Sequence, residues 1–570
     1  MSFLGLFGNR NTEIQTDEFA IVDNSESSDE QSVNGQIVNL GENGTLQLTE
    51  DEVGDIRLVL FSHLCRNTPV EKVERLINIY FSQINDENRE EMLLDLFTII
   101  FEKRDCRGGE GEKLLFRQML NHCKSKYMNI ILELLPLIPE YGSWLDMWEL
   151  VTNDDSIFTN KILTICADQI NKDRESEHVT LCAKWSPSEG SEHYRRLYPT
   201  IINYQRMINP RSKTLQKDYR KTINELREKS NVVEQLMCSN RYNDIDPSKT
   251  PSICANKFRK AFLNISNDIS KQMDYERGNR YPDREDRVLA RQRWLRSVKE
   301  GKVKGGQLDP MALVRAVRSA TDKDEIDLIN CQWNDLVSKT RAQIAKAIED
   351  GYEPMNNIIP MIDRSGSMSG TPEIAACGLG ILLSELCNPK FGNVVMTFGD
   401  HPALIQVDSR LTFSERVHII ERMHVGYSTN FELAMNEVCK VIKEKNLQQD
   451  ELPSLCILTD MQMNCDEMFG YSKTVDNGIK TRFEELGVEM HGTPFERPRT
   501  VHWNLRGDTE GYPVTAHENN VQAITGYSAS LLDLILTGKP APTPYETMRR
   551  KLDGERYEPV REVIRGVLAK

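Results

Sequence analysis

Residues 356–386 read "NNIIPMIDRSGSMSGTPEIAACGLGILLSEL". The apolar run Ile358–Ile362 has the length and content of a buried strand, and the stretch from Pro372 to Leu386 predicts a long apolar helix. Between them stand Asp363, Ser365 and Ser367, spaced by Arg364 and Gly366. Pro372 and Glu373 suit a helix start, because proline lacks an N–H that the first turn leaves unused and a carboxylate favours that end of the helix dipole. Two readings follow: a plain strand-to-helix turn, or a loop that offers one carboxylate and two hydroxyls to a cation.

Working outward, short apolar strands alternate with helices over residues 351–570: "NVVMTFG" and "PALIQVD", helices at 414–423 and 431–445, "SLCILTD", a helix near 475–486, "TVHWNL", "VQAITG" and a final apolar helix "ASLLDLILTG". Such alternation predicts a mostly parallel sheet covered on both faces. Ligands of such sheets sit beyond the carboxyl ends of the strands, where the strand order reverses. "SLCILTD" ends in Asp460 as "NIIPMID" ends in Asp363, so neighbouring first and fourth strands would bring two carboxylates to one crevice. Thr429, in "GYSTNFELAM", precedes a further helix. Mg²⁺ takes six oxygens and keeps several waters. Three hydroxyls and two carboxylates can supply that shell and leave the ion able to grip an acidic ligand.

"DRSGSM", Thr429 and "LTDMQ" resemble the metal-ion-dependent adhesion site of a von Willebrand factor A domain. The resemblance implies an α/β Rossmann-like fold, Mg²⁺ or Mn²⁺ held by Asp363, Ser365, Ser367, Thr429 and Asp460, and a protein ligand bound through the metal. One departure is Asn430, where many such domains carry aspartate after the threonine; it reduces charge around the ligands rather than among them.

Residues 1–50 are acidic and rich in Ser, Asn and Gln, and predict a disordered tail. Residues 55–350 predict an α-helical domain: "IRLVLFSHLC", "VEKVERLINIYFSQI" and "REEMLLDLFTIIFEK" place apolar residues three and four apart. In "RDCRGGEGEKLLFRQML" the glycines before Lys113 have the wrong spacing for a phosphate loop and no Ser or Thr follows the lysine, so a glycine-rich turn opening a helix is expected. Trp144, Trp148 and Trp185 are expected to pack in cores or interfaces. With "RDCRGGEGEK", "PEYGSWLDMWEL", "LCAKWSPSEG", "YRKTINELR" and "VHWNLRG", most of residues 55–565 resemble an uncharacterised family of plants, fungi and large DNA viruses, in which a helical repeat-like region precedes an A-type domain at 351–570. That layout is similar to the Ro ribonucleoprotein (TROVE-type) family, which implies a helical ring that holds RNA.

Charge is uneven over the 570 residues. The net charge is −15, residues 1–55 carry −11, and residues 201–300 carry +9 from 22 Lys and Arg against 13 Asp and Glu. The basic stretch makes Lys257, Arg259, Lys260, Arg284, Arg287, Arg291, Arg293 and Arg296 the candidates for a single-stranded RNA contact, against the ordinary alternative of a solvated face. The thirteen cysteines include no C-x-x-C pair, which argues against a zinc site or a disulfide framework and for a reducing, cytoplasmic setting, or a virion if the chain is viral. No apolar run reaches the roughly 18 to 20 residues of a membrane span, and the opening "MSFLGLFGNRN" lacks the basic start of a signal peptide. A metal-dependent binding scaffold, with or without RNA, is the expectation; a purely protein-binding or virion-assembly scaffold is the alternative. An enzyme is not expected, since nothing in the sequence fixes His401 or His424 near the metal loop as a base.

Overall fold

The computed structural model describes residues 31–33, 36–40, 46–154, 156–266, 278–351, 353–354, 357–386, 393–399, 401–423, 430–462, 475–509, 511–538 and 542–570. Its first elements are three short antiparallel strands, β1 (Gln31–Val33), β2 (Gln36–Leu40) and β3 (Leu46–Leu48). Leu48 exchanges backbone hydrogen bonds with Tyr512, 2.9 Å and 3.0 Å long. This corrects the expectation of disorder for residues 31–33, 36–40 and 46–50: local composition counts the apolar content of a segment, whereas the partner of Leu48 lies more than 400 residues away. Residues 1–30 lie outside the described residues.

Two compact units are present, one spanning Lys124–Asp244 and the other Glu30–Cys123 with Ile245–Lys570. In the first, Trp148 sits edge-on to Tyr204, ring centres 4.8 Å apart, and Tyr204 meets Tyr219 at 6.0 Å. The buried Arg227 donates to the carbonyls of Ala183 and Ser186 at 2.9 Å and 2.8 Å. A guanidinium needs several acceptors when it leaves water. It finds them in the turn of "LCAKWSPSEG", so this motif and "YRKTINELR" form one structural clamp. Trp148 is fully buried, and Trp144 and Trp185 are half-buried.

In the second unit the helix Arg89–Arg104 is buried along nearly its whole length from Met92. Two of its charged residues are paired, Lys103 with Glu110 and with the carbonyl of Phe61, and Asp95 with Arg549 at 2.6 Å; Glu102 is buried with neither carboxylate oxygen hydrogen-bonded among the described residues, and burial raises its carboxyl above the ordinary range. The glycine-rich turn does open a helix, Lys113–Leu134.

Beyond the two-residue strand β4 (Glu353–Pro354) lie β5 (Ile358–Asp363), β6 (Val394–Phe398), β7 (Ala403–Gln406), β8 (Ser454–Thr459), β9 (Thr500–Asn504) and β10 (Val521–Thr525); β11 (Thr537–Gly538) pairs with β4. The six-stranded sheet has the order β10-β9-β8-β5-β6-β7, parallel except for the edge strand β7. The order reverses between β5 and β8, which are paired in register from Ile358↔Ser454 to Ile362↔Leu458. The helices Phe431–Lys445 and Val475–His491 pack Phe431, Val438, Ile479 and Phe483 with Ile359, Met361 and Ile457 of the sheet. The helix Thr371–Leu386 also packs on the sheet, its Gly380 so close to Ile362 that a Cβ would lie 2.5 Å from that side chain.

The boundary at residue 351 marks a change of secondary structure and not of compact unit. The helices Pro310–Ser319 and Lys323–Glu349 belong with the sheet. A Cβ on Gly378 would lie 2.8 Å from the Pro310 carbonyl carbon, so only glycine permits that helix crossing. Trp333 stacks on Phe413 with centres 3.8 Å apart and donates its indole N–H to Glu385 at 2.8 Å. After "ASLLDLILTG" the chain continues into two amphipathic helices absent from the expected elements, Pro544–Leu552 and Glu558–Leu568, the first opened by a Thr543/Glu546 capping box.

Candidate metal centre

Asp363 ends β5 and Asp460 follows β8 by one residue, so the paired strands deliver two carboxylates to the carboxyl end of the sheet at its switch point. Both residues are fully buried. Asp363 accepts from the Ser365 amide at 2.9 Å and from the Thr459 hydroxyl at 2.7 Å. Ser365 Oγ lies 3.0 Å from Ser367 Oγ. Burial, together with the charge of Asp460, raises the Asp363 carboxyl to about 7, with the Thr459 and Ser365 hydrogen bonds opposing the rise.

Asp460 Oδ1 accepts from the Gln462 amide at 3.1 Å. Its buried Oδ2 accepts no hydrogen bond among the described residues. Arg506 Nη1 stands 3.5 Å from that oxygen, an ion pair too long to satisfy it as a hydrogen bond. Thus Asp363, Ser365, Ser367 and Asp460 converge; Thr429 and His424 lie outside the described residues, and His401 is exposed between β6 and β7. Asn430 caps the helix Phe431–Lys445, accepting from the Leu433 amide at 2.9 Å.

Four residues join this site without having been singled out from the sequence. Thr459 bridges the two strand ends. Met461 adopts a left-handed φ of 67°, unusual for a side chain without a short polar group. Gln47, next to β3, donates at 2.7 Å to the Met461 carbonyl and so holds that turn. Arg506, from "VHWNLRG", donates to the Ser367 carbonyl at 3.4 Å. Only "LTDM" carried a local signal, a hydroxyl and a carboxylate at the end of an apolar strand. Beside the cluster opens a polar cavity of about 330 Å³ whose lining includes Arg66, Ser367, Ser369, Thr371, Arg506 and Tyr527.

The basic candidates separate by environment. Arg287 and Arg291 are buried: the first donates to the Ala261 carbonyl at 2.6 Å and the second pairs with Asp324 at 2.6 Å. Arg259 pairs with Glu325 at 2.6 Å. These three pair their charge within the fold, which corrects the expectation that they contact RNA. Lys257, Lys260, Arg284, Arg293 and Arg296 are exposed. Arg280 and Arg284 lie over the Tyr281 ring at 5.4 Å and 5.1 Å, and Lys257 over Phe258 at 5.2 Å. Trp294, at the centre of the basic stretch, is buried and stacked on Phe262 at 4.5 Å, where no base can reach it.

The chain therefore combines a mostly helical N-terminal region with a C-terminal mixed α/β sheet whose switch point carries an oxygen-rich acidic cluster. Residues 357–565 match a family model described as a domain of unknown function, DUF7788, and residues 157–277 match a second, DUF2828, described in the same words. An uncharacterized protein of Acanthamoeba polyphaga mimivirus, L728, is 28% identical over 473 residues, covering 77% of this chain and 76% of that protein. Among solved structures, the Deinococcus radiodurans RO (RSR) protein aligns over 89% of this chain and 94% of its own at 11% identity, with a TM-score of 0.29, too low to support an argument. Neither family description names a von Willebrand factor A domain. No helix among the described residues is long and apolar enough to cross a membrane.

Proposed function

We propose that the chain is a binding scaffold whose C-terminal sheet is a von Willebrand factor A-type domain, and that Asp363, Ser365, Ser367 and Asp460, with Thr429, hold Mg²⁺ or Mn²⁺. The observation that carries this reading is the pair of buried carboxylates at adjacent strand ends, one of whose oxygens accepts no hydrogen bond among the described residues. Two such groups are costly to bury together unless a cation compensates them. Carboxylate and hydroxyl oxygens are the donors a hard divalent ion selects. When bound, the ion supplies an electrophilic position for an acidic group of a partner, while the chain's own residues orient the oxygens and keep the floor of the site dry. The reading is one of binding rather than turnover, in an intracellular setting, or in a virion if the chain, like the mimivirus protein it resembles, is viral.

Calorimetric titration of the full chain with Mn²⁺ tests it. Binding that disappears in Asp363→Ala and Asp460→Ala is the expected result. Absence of binding, or binding undiminished in both variants, overturns it; magnesium-dependent hydrolysis lost with Asp460→Ala would replace scaffold with enzyme.

A second contact, with single-stranded RNA, is favoured by exposed basic side chains beside the half-buried rings of Tyr281 and Phe258. Bases stack on such rings and phosphates pair with the flanking cations. Fluorescence anisotropy with a labelled RNA should show affinity that falls steeply with salt and drops in Arg284→Ala/Arg293→Ala; no binding at low salt removes RNA from the reading.

A further inference from the structure

Arg506 is delivered to the acidic cluster by a loop with little freedom. Asn504 Oδ1 accepts from the Arg506 amide at 2.9 Å. The next residue, Gly507, runs so close to Thr68 that a Cβ would lie 2.2 Å from its hydroxyl oxygen. The guanidinium is divided between two carboxylates and the Ser367 carbonyl, to which Nη1 donates at 3.4 Å and which it releases on moving away. Nε and Nη2 donate to Asp508 at 2.7 Å and 3.1 Å, while Nη1 stands 3.5 Å from Asp460 Oδ2. Asp508 is on the solvent side, 44% exposed, whereas Asp460 is fully buried. The cavity of about 330 Å³ that Arg506 helps to line leaves room for the guanidinium to move away from Asp460.

A divalent ion held by Asp460 would share the buried carboxylate that the guanidinium now approaches. Positive charges that close to one buried oxygen repel each other. We propose that Arg506 is an internal counter-cation of this centre: it compensates Asp460 when no metal is bound, and on metal entry withdraws towards Asp508 and the cavity, where it and Arg66 face the acidic group that the metal recruits. This rests on the metal reading above and adds to it a residue that sets the affinity. Asp508 is the alternative anchor that makes withdrawal cheap. Metal alone is consequently bound weakly, and an anion in the cavity favours the withdrawn arginine and the metal together.

The test is a double-mutant cycle read by direct Mn²⁺ titration of the full chain, with no other ligand. Arg506→Gln is expected to bind Mn²⁺ roughly tenfold more tightly than the wild type. Asp508→Asn, an exposed and conservative change that leaves the fold intact, is expected to bind several-fold more weakly, because Arg506 loses its alternative partner. In the Arg506→Gln background the Asp508→Asn change should have little effect. The proposal is overturned if Arg506→Gln binds no more tightly, or if the Asp508→Asn loss persists in full in the double variant. Wild-type binding that Asp460→Ala abolishes but Arg506→Gln leaves unchanged overturns this inference and keeps the metal centre; no binding by any variant overturns both. Should Arg506→Gln unfold, an Asp508→Asn affinity equal to wild type is by itself sufficient to reject the withdrawal.

Discussion

At the scale of single residues, the carboxyl of Asp363 makes a directional prediction. Its value in the fold is about 7 against an ordinary 3.8, so between those limits the folded chain holds a proton that the unfolded chain has released. Stability from this group is therefore fully present below pH 3.8 and is lost as pH rises towards 7, by up to ~1.4 kcal/mol per pH unit. Chemical denaturation in chelator across that window should show the Asp363→Asn variant less pH-dependent than the wild type in this sense, and Mg²⁺ should stabilise the wild type most near and above pH 7, where Asp363 loses its proton. His63 contributes with the opposite sign. Burial and the neighbouring charges of Lys72 and Lys103 depress it to about 3 from 6.5, so its share of stability is lost as pH falls through that range. The His63→Gln variant should retain stability better than the wild type on acidification, measured by the same denaturation series. Gln47 is the third residue to test. Gln47→Ala removes the donor to the Met461 carbonyl and is expected to cost ~1–2 kcal/mol and to weaken Mn²⁺ binding by loosening the turn that carries Asp460.

At the scale of elements, the helix Thr371–Leu386 is fixed between the sheet and the helix Pro310–Ser319. Gly378→Ala should destabilise the chain by ~1–3 kcal/mol, because the added methyl meets the Pro310 backbone and one of two well-packed helices must shift. Thermal unfolding measures the loss; an unchanged midpoint would show that the crossing has slack. The same contact explains why the strand and helix periodicities over 351–536 were legible. Ile358–Ile362 and Leu455–Leu458 are buried on a sheet covered on both faces, so they read as continuous apolar runs, and Val521–Ile524 does so but for the buried Gln522. The helices of residues 544–568 were missed because their buried residues are few and spread among charges: Met548, Leu552, Val560 and Ile564 face inward while arginines and glutamates surround them.

At the scale of the whole molecule, the isolated fragment 351–570 would expose Phe413 and the face of its first helix at Gly378, where Trp333 and Pro310 now pack. It should be less soluble and more readily digested by protease than the full chain, and restoring residues 310–350 should recover resistance. Comparison of the two fragments by limited proteolysis checks this; equal resistance would make the sheet region self-sufficient.

The sequence by itself determined the local periods, the strand-loop-helix stretch at Asp363, the second strand-end carboxylate at Asp460, and the helical character of the region before them. Each follows from neighbours a few residues apart. Tertiary structure decided the rest. It placed β5 beside β8, assigned Arg287 and Arg291 to the interior rather than to a basic surface, ordered β3 against Tyr512, joined the helices of 310–349 to the sheet, and brought Arg506 to Asp460. In each case the deciding energy is a contact between segments distant in the chain, where burial, an ion pair or a backbone partner outweighs what either segment favours alone.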